Sequence, residues 1–119
     1  MIKGLEALTA ECLCAASQYS VENEVLASLH ASFPSLGWDS QLPHYLISRI
    51  AEHGKRRAEE MRESARTVQE AGFEPIMTRA IADKQQWVAD QARAGVFKEL
   101  PAGAAWQAFA DALIAARKG

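Results

Sequence analysis

The feature that most constrains this chain is one long apolar seam. Between Leu42 and Ala71, small and apolar residues recur at Ile47, Ile50, Gly54, Ala58, Met61, Ala65 and Val68. Steps of three and four trace one face of an α-helix and no face of a strand. Pro43 suits the first turn, where its missing N–H is not needed, and Gly72 suits the position just beyond the last turn. A helix with such a stripe is stable only when other elements bury it. Gly54 is the odd member, since a glycine inside a helix costs about 1 kcal/mol relative to alanine. It lies on the seam, with Ala58 one turn later. Small residues at that spacing let a second helix bring its backbone close, so Gly54 and Ala58 are assigned to helix packing.

The rest of the chain has the same period. Ile2, Leu5, Leu8, Cys12, Ala16 and Tyr19 draw the buried face expected for a first helix. That pattern already runs at Ile2 with no capping residue before it, so the first helix is expected to begin upstream of Met1. Ser20 is the expected N-cap of a second helix, with Glu22 and Glu24 in its first turn and Val25, Leu26, Leu29 and Phe33 on its apolar side. Pro34 ends that helix. The loop "PSLGWDSQLP" follows, pinned by Leu36 and Trp38. A fourth helix starts near Pro75, with Ile76, Met77, Ala80, Ile81, Trp87 and Val88 inward and Gly95 closing it. After the connector "VFKELPAG", Trp106, Phe109, Ala110, Leu113 and Ile114 mark a final helix ending in "RKG". No segment alternates with period two. The expected fold is all-α, about five helices in a single domain spanning 1–119.

Composition excludes several classes of function. The formal net charge is −2, so no global field draws the chain to nucleic acid or an anionic membrane. No apolar run approaches the ~20 residues of a membrane span. Glu6 and Glu11 interrupt the N-terminal apolar pattern, unlike a secretory signal, and the expected location is the cytoplasm. Cys12 and Cys14 lie about 200° apart on a helix and cannot bridge each other. No further ligand is in sequence reach of them, so no metal site is expected.

Catalytic motifs are missing from the sequence. Of seven glycines, no two have the G-x-G spacing, and there is no Walker loop, H-E-x-x-H or G-x-S-x-G. No catalytic residue is assigned, and no cofactor is expected to bind this chain alone. The long helix carries six cations against five anions from Pro43 to Gly72, many four residues apart, which describes an ion-paired solvated face. One column differs. His53, Arg57, Glu60 and Ser64 step beside the seam and flank whatever packs on Gly54. Arg57 can grip a carboxylate or phosphate with two parallel hydrogen bonds, with His53 adding a third. The plainer alternative pairs Arg57 with a glutamate at a helix interface. His30 and His44 read as surface or loop histidines.

The segments "IKGLEALTAECLCAA", "VLASLHASFP", "HGKRRAEEMRESARTVQEAGFEPIMTRA" and "QQW" resemble the C-terminal helical domain of the β-hydroxyacid dehydrogenases, the group around 3-hydroxyisobutyrate dehydrogenase and 6-phosphogluconate dehydrogenase. The resemblance runs from Ile2 to Gln91 and is most specific in "HGKRRAEEM" and "GFEPIM". It implies a complete enzyme in which a Rossmann domain holds NAD or NADP. A lysine on the helix leading into the helical domain then moves the proton of a small hydroxy-acid substrate. It also implies a homodimer paired through helical domains. This chain has no Rossmann half, and the family's lysine would precede Met1. Lys3 matches a later position on the same helix and is expected near the substrate mouth, which makes Lys3, His53 and Arg57 the candidate substrate-binding residues. The competing expectation is a helical dimerisation or adaptor module without catalysis.

Overall fold

The long seam does become the spine of the molecule. The computed structural model describes residues 1–118, and the five helices are α1 (Ile2–Gln18), α2 (Glu22–Ser32), α3 (Leu42–Glu70), α4 (Ile76–Arg93) and α5 (Trp106–Lys118). No strand occurs among the described residues. Gly119, the expected end of the last helix, lies outside them.

α3 and α4 form an antiparallel hairpin. Gly72 takes φ +96°. There its N–H donates to the Gln69 carbonyl and that of Phe73 to the Val68 carbonyl, at 3.0 and 3.2 Å. This paired closure satisfies carbonyls the helix end leaves free and turns the chain back. Gly95 closes α4 the same way, with φ +89°. Along the hairpin, Ile47, Ile50, Gly54, Ala58, Met61 and Ala65 of α3 are buried as the seam requires. At Gly54 the helices touch through backbone: a Cβ there would lie 2.8 Å from the Gln85 carbonyl oxygen and 3.3 Å from the Ala89 nitrogen. The helix packed on Gly54 is α4 of the same chain.

α1 lies across this hairpin and α5 packs beside it. Their shared core holds Ala7, Ala10 and Leu13 of α1, Ile47 and Ile50 of α3, Val88 of α4, and Trp106 and Ala110 of α5. Phe97 and Phe109 meet edge to face at 5.3 Å against it. α2 has no fully buried residue; Val25 and Leu26 only lean on the core. Trp38 pins the loop before α3, whereas Leu36 is exposed.

Three sequence expectations are corrected here. The face of α1 that turns inward carries Glu6, Ala7, Thr9, Ala10, Leu13 and Ala16, while Ile2, Leu8, Cys12 and Tyr19 face out. α1 sits close over the hairpin at its N-terminal half, where Gly4, Ala7 and Ala10 permit the approach. α4 is rotated likewise. Ala82, Gln85 and Val88 are buried, whereas Ile76, Met77, Ala80 and Trp87 are exposed, because the backbone contact of Gln85 and Ala89 with Gly54 sets the side of α4 that turns inward. Ser20 is not the N-cap of α2. It sits just past α1 at φ +58°, where its N–H and that of Val21 donate back to Ser17 and Ala16. A side-chain cap is absent from α2, whose N-cap position is Val21.

Candidate functional site

Where α1 crosses the hairpin, a polar cluster is buried among apolar side chains. Helical spacing brings it together. Lys3 and Glu6 are three apart on α1, Arg57 and Glu60 three apart on α3, and Gln85 faces both from α4. The Arg57 guanidinium lies 3.5 Å from a Glu6 carboxylate oxygen, with both side chains nearly or wholly out of solvent. The Gln85 side-chain amide donates to the Lys3 carbonyl at 3.0 Å and to Glu6 Oε1 at 3.3 Å. At the rim, the Lys3 ammonium lies 3.8 Å from Glu60, and about a third of its side chain is open to water.

This arrangement ties three helices at one point. Each member neutralises or satisfies another, as buried charge and amide groups require. Satisfaction is incomplete, because Glu6 Oε2, Arg57 Nε and Gln85 Oε1 lack a hydrogen-bond partner of good geometry. An external carboxylate approaching Arg57 would have to compete with Glu6. Lys3 is the accessible cation of the cluster.

The candidate residues thus separate. Lys3 and Arg57 meet in the cluster. His53 lies one turn along α3 from Arg57, 3.6 Å from its neighbour Glu52, on an open depression also lined by Lys55, Arg56 and Glu59. Gly54 and Ala58 are buried on the α4 side of the same helix. Glu6 and Gln85 are the members that sequence reasoning missed. A carboxylate next to Leu5 and Ala7 within the apolar pattern of the first helix was the available signal for Glu6.

Two other recesses are present. One of about 210 Å³ lies between α1, α4 and α5, lined by Cys14, Tyr19, Trp87, Leu113 and Arg117 among others. Burial pushes the Cys14 thiol above the usual thiol range, opposed in part by the nearby Lys84 ammonium. A second, of about 420 Å³, lies between α2, the loop before α3 and the start of α5, with His30 and Asp39 3.5 Å apart at its edge. On the outer face of α4, hydrogen bonds from Gln86 and then Arg93 hold the Asp90 carboxyl below its ordinary range. Among the described residues, no group of His, Cys, Asp and Glu could hold a metal ion, and no helix is long and apolar enough to cross a membrane.

Comparisons with known proteins agree with this architecture. The crystal structure of a conserved hypothetical protein from Sinorhizobium meliloti 1021 superposes with a TM-score of 0.82 at 34% identity, over 95% of this chain. This chain spans only 36% of that protein's length. No curated protein matches it. Residues 16–88 match the family described as "Domain of unknown function (DUF1932)". That stretch runs from the last turn of α1 to Val88 and includes Gly54, Arg57 and Gln85. Since it covers more than half of the sequence, the chain belongs to the DUF1932 family.

Proposed function

We propose that this chain is the C-terminal helical domain of an NAD(P)-dependent β-hydroxyacid dehydrogenase-like protein, contributing oligomerisation and one wall of the substrate pocket. The observation that carries the reading is one of length. The same fold, at 34% identity, occupies 36% of a longer chain. The remaining two thirds of such a chain is room enough for a nucleotide-binding domain. The dehydrogenase assignment draws on the resemblance of "IKGLEALTAECLCAA" and "HGKRRAEEM" to that group. The cluster supports it in one respect. Arg57, Glu6 and Gln85 fix the phase of α1 on the hairpin, so any group carried on that helix is held in a defined direction. Lys3, partly open beside them, would then face a hydroxy acid's carboxylate at the rim of the pocket, with NAD or NADP held by the other domain. A homodimer paired through helical domains completes the proposal.

The test begins with the native protein in its source cells, tracked through the peptide "TVQEAGFEPIMTR". A mass some tens of kilodaltons above 13.0 kDa is expected. The protein of that mass should reduce NAD or NADP with a small 3-hydroxy acid as donor. A native mass near 13.0 kDa, or a longer protein inert towards a panel of hydroxy acids with either nucleotide, overturns the reading.

A further inference from the structure

α2 differs from the other helices in having no fully buried residue. The face with Asn23, Leu26, Ala27 and His30, at steps of three and four, is one side of a helix. That face borders the recess of about 420 Å³ shared with the loop before α3 and the start of α5. Its volume falls within the roughly 300–1,000 Å³ of small-molecule sites.

The walls are selective in two ways. Two of the chain's three tryptophans, Trp38 and Trp106, line the recess. Each keeps only 6% of its surface open, so both indoles are held in place by the packing behind them. The second property is charge. The recess is built from two stretches, 19–48 and 99–116, and neither contains a lysine or an arginine. All thirteen of those residues lie elsewhere in the chain. The same two stretches carry Glu22, Glu24, Asp39, Glu99 and Asp111. Asp39 lines the recess itself, and its side chain is 59% exposed. His30 Nδ1 lies 3.5 Å from it without a hydrogen bond of good geometry. The carboxylate therefore has lone pairs left for another donor. The recess of about 210 Å³ is of the opposite kind, with Arg117 on its wall.

We infer that the recess between α2 and α5 binds a small organic cation, an ammonium group carried on a planar apolar body. Asp39 takes the ammonium, and Trp38 and Trp106 take the body, adding the attraction of a cation for aromatic faces. Asn23, Ser40 and Gln107 supply the few polar contacts that fix orientation. An anion finds no fixed cation on these walls, and a neutral apolar molecule leaves Asp39 unused. The inference is independent of the dehydrogenase reading, since it uses no nucleotide and no residue of the cluster around Arg57.

Benzylammonium is the probe, with benzyl alcohol as its neutral counterpart and benzoate as its anionic one. Isothermal titration of the protein that carries this chain should show one saturable site for benzylammonium. The other two should bind at least about fivefold more weakly. The indole N–H resonances of Trp38 and Trp106 should move with occupancy, while that of Trp87 on α4 stays in place. Asp39→Asn keeps the side chain's shape at an exposed position. It should weaken benzylammonium binding about fivefold and leave the melting temperature unchanged. Glu24→Gln, on α2 but off the wall, should change binding by less than about twofold. Equal affinity for benzyl alcohol makes the recess merely apolar and overturns the inference. An Asp39→Asn protein that binds like the parent, or a titration that never saturates, overturns it as well. None of these outcomes bears on the dehydrogenase reading, which native mass and hydroxy-acid activity decide.

Discussion

Gly54→Ala is the sharpest probe of the hairpin, because two effects of opposite sign meet in one methyl group. In an open helix interior, Gly→Ala stabilises by about 1 kcal/mol. At Gly54 the added Cβ would lie 2.8 Å from the Gln85 carbonyl oxygen, 3.3 Å from the Ala89 nitrogen and 3.4 Å from the Ala89 Cβ. Ordinary contact begins near 3.4 Å, so α3 and α4 must part by roughly 0.6 Å at this point. The first two obstructing atoms are backbone, which no rotamer change can move aside. Overpacking of this kind costs about 1–3 kcal/mol and here outweighs the propensity gain, leaving a net loss of about 1 kcal/mol.

Gly4→Ala supplies the contrast. Its Cβ would lie 2.7 Å from Ile81 Cδ1, the far end of a flexible side chain that can rotate away. That variant should be neutral or slightly stabilising. Gly54→Leu, with a whole side chain in the contact, should lose up to about 3 kcal/mol. Urea unfolding followed by far-UV circular dichroism separates the three, provided the m-values agree. In thermal melts, 1 kcal/mol corresponds to about 3–5 °C for a domain of this size. A Gly54→Ala protein more stable than the parent by about 1 kcal/mol would show that the helices separate freely, and the close-approach argument would be wrong.

Other outcomes follow from the same geometry. Arg57→Met strands the Glu6 carboxylate in a buried site and should cost about 3–5 kcal/mol by urea unfolding. Adding Glu6→Gln should restore part of that loss, and strictly additive losses would show that the two do not act as a pair. Cys12, exposed, should react with a disulfide reagent well before Cys14, whose thiol is held protonated by burial, and mass spectrometry of partly labelled protein gives the order. Adding NAD or NADP to the isolated chain should leave its melting temperature unchanged; a saturable shift would place a nucleotide site within these five helices.

What the sequence made legible differs from helix to helix for a physical reason. α3 was readable in length, limits and phase because its seam mixes two large aliphatics with a glycine and alanines, a pattern that only an inward face explains. α1 and α4 were readable as helices but not in phase. Period gives the presence of a face, whereas the side that turns inward depends on how near the neighbouring backbone comes. At Gly54 the backbone of Gln85 and Ala89 comes within contact distance, which turns Ala82, Gln85 and Val88 inward and leaves Ile76, Met77 and Trp87 outside. Ser20 was misassigned by the same locality. It has the chemistry of an N-cap, but the preceding helix needed a left-handed residue to close it and that demand came first.

The cluster at the helix crossing shows why candidate site residues were only half visible. Arg57 could be placed beside the seam from spacing alone, and both an external anion and a glutamate were fitting partners for it. Choosing between them required the phase of α1, which the outward Ile2 and Leu8 obscured. Once α1 is turned so that Ala7 and Ala10 meet the hairpin, Glu6 is carried inside by its position next to Ala7, and Arg57 is the cation within its reach. The same rotation points Ile2 and Leu8 outward. The buried ion pair and the outward Ile2 and Leu8 are therefore two consequences of one packing choice.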